Sequence, residues 1–380
     1  MSVLLKNGRL ISPGFDLNVA GIEIEGARIK AVYPAGADLP ASDAVIDLGG
    51  NMVMPGFVDI HFHGGMGHEV TDASPEGIRK VAEAKLCEGV TSMCPTTLTL
   101  PEEQLGETLR CLAAYGKEPE FAKFVGAHLE GPYINCDCIG AQNPAYVRAP
   151  DIAEVRRLKT QANIAIVSFA VEVEGGIDFT EQLVSEGITA SCGHTAATYA
   201  QLAEAKARGL THLTHFCNQM TKLHHREIGC VGGGLYDDDL MLEIICDKIH
   251  LCPDMIRLIF KLKGCDGLML ITDAMSATGL EDGDYSLGGL SVVVADGAAR
   301  LSSNGALAGS TLAFNDALRN VYEETGLPLS ELVKTCSYNQ AVSLGLEGIG
   351  RLEPGWTADI VVLDDAFTPV AVFVDGQRRI

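Results

Sequence analysis

Eight short apolar runs alternate with amphipathic stretches through the middle of this 380-residue chain, and this alternation constrains the fold more than any other feature. The runs predict β-strands at 53–60, 89–95, 122–129, 164–171, 188–193, 211–217, 242–250 and 267–272. Apolar residues at helical spacing predict helices at 75–89, 149–161, 179–187, 198–209, 311–326 and 329–344. Strands that alternate with helices form parallel sheets, and eight of them close a barrel. The sequence therefore predicts the α/β class and, within it, a (β/α)8 TIM-type barrel.

The two ends of the chain have a different pattern. Short alternating segments, typical of β-hairpins, lie near the N-terminus at 3–11, 18–25 and 27–33. The segments TADIVVLD and VAVFVDGQRR repeat this pattern near the C-terminus. Because the N-terminal segments are too short to bury a core alone, we expect them to pair with the C-terminal ones. This predicts a small β-sandwich domain built from residues 1–52 and 350–380, with the barrel at 53–349.

Composition limits the partners and the location of the protein. A hydrophobic content of 47% with 21% charged residues is typical of a globular protein. The net charge of −22 argues against a nucleic-acid partner, because phosphates attract basic surfaces. No apolar run approaches the ~20 residues that span a bilayer, and the N-terminus has no secretory signal. The twelve cysteines are scattered and fit reduced, mostly buried thiols. We therefore expect a cytoplasmic protein with a small-molecule partner.

Metal-binding residue types stand at the ends of several predicted strands. His61 and His63 follow the first strand, and residues i and i+2 of an extended chain point the same way. Glu130 ends the third strand, while His194 and His215 follow the fifth and sixth. Each alone would more often be an ordinary polar residue, but barrels present their chemistry at this edge. Together they predict one or two divalent ions per subunit, with zinc expected first and iron, manganese or cobalt as alternatives.

Further polar residues at the same edge predict the chemistry of a metal-dependent hydrolase. Asp273, after the eighth strand, could exchange a proton with an attacking water, although a helix N-cap is the alternative. His250, after the seventh strand, could polarise a carbonyl or contact a sugar hydroxyl. Arg226 could bind phosphate or carboxylate, although a lone arginine is usually a solvated surface charge. His128 and His212 are interpreted as structural histidines within the strands.

Taken together, these residues resemble those of N-acetylglucosamine-6-phosphate deacetylases, a branch of the amidohydrolase superfamily. The matching segments follow the family order along nearly the whole chain. They are PGFVDIHFHG (55–64), GVTSMCPTT (89–97), GAHLEGPY (126–133), CGHTAATY (192–199), THLTHFCNQM (211–220), LHHRE (223–227), ITDAM (271–275), LAGSTL (307–312) and GIGRLEPGWTADIVVLD (348–364).

The resemblance implies a homodimeric barrel enzyme that hydrolyses the acetamide of N-acetylglucosamine 6-phosphate. It implies that the principal ion is held by Glu130, His194 and His215, and that Asp273 is the acid and base. The first-strand histidines would allow a second ion. The residues that we expect to contact the substrate are His250, Asn218, Gln219, Arg226, Gln142, Ala141 and Leu307, with the arginine supplied by a partner subunit.

Three departures from the family pattern concern the substrate pocket. Gln142 replaces a histidine of the G-x-H-N-P segment, Gln219 replaces the alanine of Asn-Ala-Met, and Lys248 replaces a glycine. Because of these three departures, a related amide such as N-acetylgalactosamine 6-phosphate, an N-acyl amino acid or a cyclic amide is an alternative substrate. A non-catalytic sugar-phosphate sensor is a further alternative. It is disfavoured because the ligand residues and Asp273 are all present.

Overall fold

The computed structural model describes residues 2–380. In chain order its strands β1 to β22 are Ser2–Ser12, Phe15–Glu25, Arg28–Pro34, Ala44–Asp47, Met52–Pro55, Phe57–Phe62, Gly64–Gly65, His68–Glu69, Val90–Pro95, Lys123–Phe124, Ala127–Glu130, Ile164–Phe169, Thr189–Cys192, His212–Leu213, Met241–Ile245, Leu268–Ile271, Gly283–Leu287, Leu290–Ala295, Ala298–Leu301, Ile360–Leu363, Pro369–Val374 and Gln377–Arg378. Helices α1 to α10 are Pro75–Cys87, Glu102–Lys117, Ile152–Lys159, Gly176–Ser185, Tyr199–Ala207, Gly229–Tyr236, Pro253–Lys263, Phe314–Thr325, Leu329–Leu332 and Tyr338–Ser343. Short 3₁₀ helices cover Val70–Asp72, Cys136–Cys138, Pro144–Tyr146 and Val333–Cys336.

A curled parallel sheet forms the centre of the molecule. Strand β9 pairs with β6, and β11 to β16 pair in sequence order. The amide of Thr97 donates to the carbonyl of His128 at 2.9 Å, which joins β9 to β11. The amide of Asp273 donates to the carbonyl of His61 at 2.9 Å and joins the last strand to the first. The eight parallel strands β6, β9 and β11 to β16 thus close, and the predicted TIM-type barrel is confirmed.

The first predicted strand is wrong in its bounds, because residues 53–60 belong to two different sheets. Strand β5 pairs antiparallel with β20 near the C-terminus, whereas β6 begins the barrel. Gly56 separates them, and a Cβ at this position would lie 2.2 Å from the Thr91 hydroxyl oxygen. The close approach allows only glycine, so the chain changes direction here. As a result, His61 lies inside β6 rather than after a strand.

Both ends of the chain contribute to one eight-stranded sheet. Its order is β22-β21-β20-β5-β1-β2-β3, with β4 paired to β1. Residues of both ends, including Leu10, Ile22 and Phe373, pack into a core that is separate from the barrel core. Nζ of Lys123 lies 2.7 Å from Oδ2 of Asp359, before β20, and forms an ion pair between the barrel side and this sheet. This pairing is the one expected from the terminal sequence patterns, while the exact domain boundaries stay a prediction.

Several elements did not emerge from the sequence. Helices α2, α6 and α7 were not predicted, and the stretch 329–344 is divided into α9, a 3₁₀ turn and α10. A three-stranded antiparallel sheet, β17 to β19, follows the last barrel strand. No helix within residues 2–380 is both long and apolar enough to cross a membrane.

Candidate metal centre and active site

The predicted metal ligands come together at the carboxyl ends of the barrel strands. Glu130, His194 and His215 form one group of donor atoms, all within 4.8 Å of one another. His61, His63 and Asp273 form a second group, whose donor atoms also lie within 4.8 Å of one another. All six residues are buried. Five separate stretches of chain therefore bring candidate ligand atoms to one rim of the barrel.

Three of these residues have an unusual backbone conformation. His194, His215 and Asp273 have φ values of 48°, 33° and 51°, in the left-handed region that side chains other than glycine rarely adopt. Each stands two residues after the last residue of its strand, so the turn at the end of the strand directs the side chain over the mouth of the barrel. Such conformations cost of order 1–3 kcal/mol each and cluster at functional sites. Left-handed residues also occur in turns elsewhere, such as Asn7 and Asp375, so it is their coincidence with the buried donor atoms that points to a functional site here.

The first group points at one common position. The Nε2 atoms of His215 and His194 lie 3.0 Å and 3.2 Å from Oε1 of Glu130, and 3.2 Å from each other. Nδ1 of His194 lies 2.8 Å from the carbonyl oxygen of Cys138. Because a carbonyl can only accept, this Nδ1 carries the proton and Nε2 keeps its lone pair for a ligand. Two imidazoles and a carboxylate converging in this way fit a divalent cation with an open coordination position.

Glu130, a member of the first group, also faces the histidines of the second group. Nε2 of His63 lies 3.2 Å from Oδ1 of Asp273 and 3.3 Å from Oε2 of Glu130. Nε2 of His61 lies 3.5 Å and 3.6 Å from the same two carboxylates. Within residues 2–380, both ring nitrogens of His61, Nδ1 of His215 and Oδ1 of Asp273 are buried without a hydrogen-bond partner. Buried polar atoms are rarely left so, and a bound cation would satisfy Nε2 of His61 and Oδ1 of Asp273, the two of these atoms that face the site.

The electrostatics of the site also favour a cation. Burial lowers the pKa of His63, but the carboxylates of Asp273 and Glu130 outweigh it and raise that pKa to about 9. Burial disfavours charge on Asp273 too, yet His61 and His63 hold its pKa well below the usual range. The carboxylates are therefore ionised at neutral pH and are balanced by protonated imidazoles. A divalent ion can take the place of those protons.

A pocket opens above the two groups. Six of the seven predicted substrate residues line it, namely His250, Asn218, Gln219, Gln142, Ala141 and Leu307. Arg226 does not, because it lies in an exposed loop where its Nη1 is 2.7 Å from Nε2 of His225. The sequence did not identify the apolar wall of the pocket, to which Leu98, Leu287 and Ala306 contribute.

His250 is held firmly in this pocket by Asp247. Nδ1 of His250 lies 2.7 Å from Oδ2 of Asp247, and the backbone amide of His250 donates to Oδ1 at 2.7 Å. Burial lowers the pKa of His250, but Asp247 outweighs it and the pKa is raised. The pairing occupies Nδ1, so Nε2 remains for a ligand.

A sequence model described as the amidohydrolase family matches residues 52–379. This chain belongs to the amidohydrolase family. An N-acetylglucosamine-6-phosphate deacetylase from Lysinibacillus sphaericus is 38% identical over 334 residues, covering 87% of this chain and 86% of that protein. An N-acetylgalactosamine-6-phosphate deacetylase from Escherichia coli O157:H7 is 35% identical over 381 residues, covering 99% of each.

Solved structures agree with the sequence relatives. A variant of N-acetyl-D-glucosamine-6-phosphate deacetylase from Mycobacterium smegmatis, in complex with N-acetyl-D-glucosamine-6-phosphate, is 32% identical with a TM-score of 0.93. The match covers 100% of this chain and 99% of that one. The predicted resemblance and the predicted class of metal-dependent amide hydrolase are therefore confirmed.

Beneath the site, this amidohydrolase contains a second layer of buried polar residues. Nδ1 of His128 lies 2.8 Å from the Ile60 carbonyl and Nε2 lies 2.6 Å from the Ser168 hydroxyl. Burial lowers the pKa of His128 to about 3, so the ring is neutral. Since both nitrogens are hydrogen-bonded to neutral groups, His128 has the contacts expected of a structural histidine.

Glu243 is a residue of this layer that sequence reasoning missed. Its Oε1 lies 3.0 Å from Nδ1 of His212, and its Oε2 lies 3.7 Å from Nδ1 of His61. Burial opposes ionisation, but the surrounding histidines hold the pKa of Glu243 far below its usual range. A glutamate in the middle of the apolar run MLEII was the available signal, because a carboxylate is rarely buried without a partner.

Proposed function

We propose that this chain hydrolyses the N-acetyl group of N-acetylglucosamine 6-phosphate, or of a close amino-sugar phosphate, to acetate and the free amino-sugar phosphate. The observation that carries the proposal is the arrangement of Glu130, His194 and His215 around one position, with Asp273 beside them at the floor of a pocket. Relatives with deacetylase names at 38% and 35% identity support the same reaction.

Glu130, His194 and His215 would hold the principal divalent ion, and His61, His63 and Asp273 offer a second position. Zinc is the proposed principal ion because two imidazoles and a carboxylate with an open position suit it; iron, manganese and cobalt bind the same donors. Such an ion supplies Lewis acidity, which lowers the pKa of a nearby water and polarises a carbonyl.

Asp273 is proposed to move the proton that the reaction transfers. Its carboxylate is ionised, so it can accept a proton from the attacking water as the water oxygen bonds to the acetyl carbon. When the carbon–nitrogen bond breaks, the same carboxyl group returns this proton to the departing nitrogen. One water is consumed, and the products are acetate and the amine.

His250 is proposed to stabilise the negative charge that develops on the acetyl oxygen. Asp247 holds its ring in place, and Nε2 can donate a hydrogen bond to that oxygen. Asn218 and Gln219 line the same pocket and would hold the sugar phosphate.

Arg226 lies outside the pocket of its own chain, and we propose that it binds the phosphate of a substrate in a partner subunit. The exposed loop around it also contains His224 and His225. Because the chain has a net charge of −22, an anionic phosphate needs such a local cation. The proposal therefore includes a homodimer. The cytoplasm remains the predicted location of the protein. The twelve cysteines of the chain are all free thiols.

N-acetylgalactosamine 6-phosphate is the second candidate substrate. A relative named N-acetylgalactosamine-6-phosphate deacetylase matches 99% of this chain. The amides of Gln142 and Gln219 line the pocket and alter its polar groups. N-acyl amino acids and cyclic amides remain more distant alternatives.

The test is an acetate-release assay over both sugar epimers, each with and without the 6-phosphate. We expect turnover that depends strictly on the phosphate. Asp273→Asn should lose nearly all turnover while keeping the principal ion, measured by elemental analysis. Asp266→Asn, a surface change that leaves the site untouched, should retain full activity. Acetate release that ignores the phosphate, or an active Asp273→Asn variant, would contradict the proposal.

A further inference from the structure

Gln142 contacts a metal ligand rather than only lining the pocket. Its side-chain oxygen accepts a hydrogen bond from the backbone amide of Thr99 at 2.7 Å. Its side-chain nitrogen donates to Oε2 of Glu130 at 2.5 Å. Because a backbone N–H can only donate, the oxygen of the Gln142 amide must face Thr99 and its NH₂ group must face Glu130. The orientation of the amide is thus determined by its partners.

Because of this hydrogen bond, the two carboxylate oxygens of Glu130 have different partners. Oε1 faces His194 and His215 at 3.2 Å and 3.0 Å, where the principal ion would bind. Oε2 receives the Gln142 N–H and lies 3.3 Å from Nε2 of His63. The oxygen closest to His63 is therefore the one that a hydrogen-bond donor already occupies.

The loop that contains Gln142 is packed closely against the ligands. Gly140 has a φ of 54°, and a Cβ there would lie 3.2 Å from the His194 ring and 3.0 Å from the Gln219 side chain. The backbone amide of Gln142 donates to the carbonyl of Ile139 at 3.0 Å. With only 4% of Gln142 exposed, the amide has little room to turn away from Glu130.

A donor on a carboxylate oxygen weakens that oxygen as a metal ligand. The N–H withdraws electron density and takes up one lone-pair direction, both of which a cation would otherwise use. Glu130 presents Oε2 toward Nε2 of His63 at 3.3 Å, whereas its Oε1 faces His194, His215 and, at 3.6 Å, Nε2 of His61. A second ion beside His63 and Asp273 that also bound Glu130 would therefore meet Oε2. The effect of Gln142 therefore falls on the second ion.

We propose that Gln142 makes the two cation sites unequal, by holding Oε2 of Glu130 away from a second divalent ion. The site at Glu130, His194 and His215 then binds tightly, and the site at His63 binds weakly. This inference rests on the proposed metal centre, but it concerns ion binding alone and requires no substrate.

The test is a Mn²⁺ titration of metal-free protein, with free Mn²⁺ counted by electron paramagnetic resonance. For the wild type we expect one tight ion and a second at least about tenfold weaker. Gln142→Met removes the donor at similar volume, and it should tighten the second ion by about tenfold and leave the first unchanged. Gln219→Met is the matched control, a pocket amide that makes no hydrogen bond to Glu130 among the described residues, and it should change neither Mn²⁺ affinity.

A second variant guards against poor folding of the first, since Gln142→Met leaves the Thr99 amide without its acceptor. Gln142→Leu removes the same donor with a differently shaped side chain, and it should tighten the second ion as much as Gln142→Met. Circular dichroism shows whether each variant keeps its fold. Equal affinities in the wild type, or a second-site affinity that neither variant changes, would overturn the inference. A failure to release acetate from either sugar phosphate would refute the proposed function and leave the Mn²⁺ result valid, because binding is measured without substrate.

Discussion

Lys85 on α1 is a buried cation that connects the two strands on which the catalytic rim depends. Its Nζ lies 3.2 Å from Oδ2 of Asp59, 3.0 Å from Oε2 of Glu88 and 3.0 Å from the hydroxyl of Thr272. The Thr272 hydroxyl also donates to Oδ2 of Asp59 at 2.6 Å. Asp59 stands two residues before His61, and Thr272 directly precedes Asp273. We therefore expect the network to be sensitive to the loss of its one lysine.

Lys85→Met removes the charge but keeps a side chain of comparable length. The carboxylates of Asp59 and Glu88 would then share a buried space without a cation, since their side chains are 0% and 10% exposed. Breaking a buried ion pair by removing one partner costs about 3–5 kcal/mol. Methionine fills much of the same volume, so a cavity contributes little to this figure. We expect the free energy of unfolding to fall by about 3–5 kcal/mol.

Urea unfolding followed by circular dichroism measures this loss, and the slope with denaturant should stay unchanged. Lys80→Met on the same helix is the matched control. Lys80 pairs with Glu76 at 3.2 Å, but the two side chains are 44% and 75% exposed. An exposed pair contributes little, so the control should change the free energy of unfolding by no more than about 0.5 kcal/mol.

The loss should also depend on pH, in a direction set by Glu88. Burial raises the pKa of Glu88 above its ordinary value, although Lys85 opposes this. Without the lysine the pKa in the folded state rises further, so the folded state binds more protons than the unfolded chain. The stability of the variant then falls as pH rises from the ordinary pKa of glutamate to the raised pKa of Glu88 in the folded state. The loss of stability in Lys85→Met should therefore be smaller at pH 5 than at pH 8. A loss below about 1 kcal/mol, or a deficit independent of pH, would refute this reasoning.

Two further predictions concern the metal centre. Removing the bound metal with a chelator should lower the melting temperature, and added Zn²⁺ should restore it, because an ion at about 1,000 times its Kd contributes about 4 kcal/mol; an unchanged melting temperature would argue against an ion at Glu130. Glu243→Gln should weaken Mn²⁺ at the His61 and His63 site by about tenfold, because the buried charge of Glu243, 3.7 Å from Nδ1 of His61, favours a proton on Nδ1 and so leaves Nε2 free for the ion. The Mn²⁺ titration checks it, and unchanged binding would exclude this role for Glu243.

The barrel and the convergence of the candidate ligands were predictable because both follow from local patterns. Each strand is a short apolar run, and Glu130, His194 and His215 stand at or just after the end of one, so parallel pairing brings them to the same edge. The first strand was placed wrongly for a tertiary reason. Continuous apolar character cannot reveal that Gly56 lies against Thr91 and divides the run between two sheets.

The apolar wall of the pocket was missed although the sequence carries its signal. Gly288-Gly289 joins β17 to β18 and Asp296-Gly297 joins β18 to β19, and such two-residue turns are typical of β-hairpins. The sheet brings Leu287 to the pocket. The bond between Gln142 and Glu130 had no such signal, because the two residues lie 12 apart in a loop whose path only the packed structure defines.

The site and the rest of the barrel contribute to stability in opposite directions. His194, His215 and Asp273 adopt left-handed conformations that cost of order 1–3 kcal/mol each, and His61 is buried with both ring nitrogens unpartnered among residues 2–380. The burial of apolar side chains such as Phe57 in the core stabilises the fold and offsets these costs in free energy. A bound cation would pair the free ligand atoms and reduce the electrostatic part of the cost, but it would leave the backbone strain in place. Because the turns that hold these residues follow strands of the barrel and its closely packed core, we expect metal removal to destabilise this protein without unfolding it.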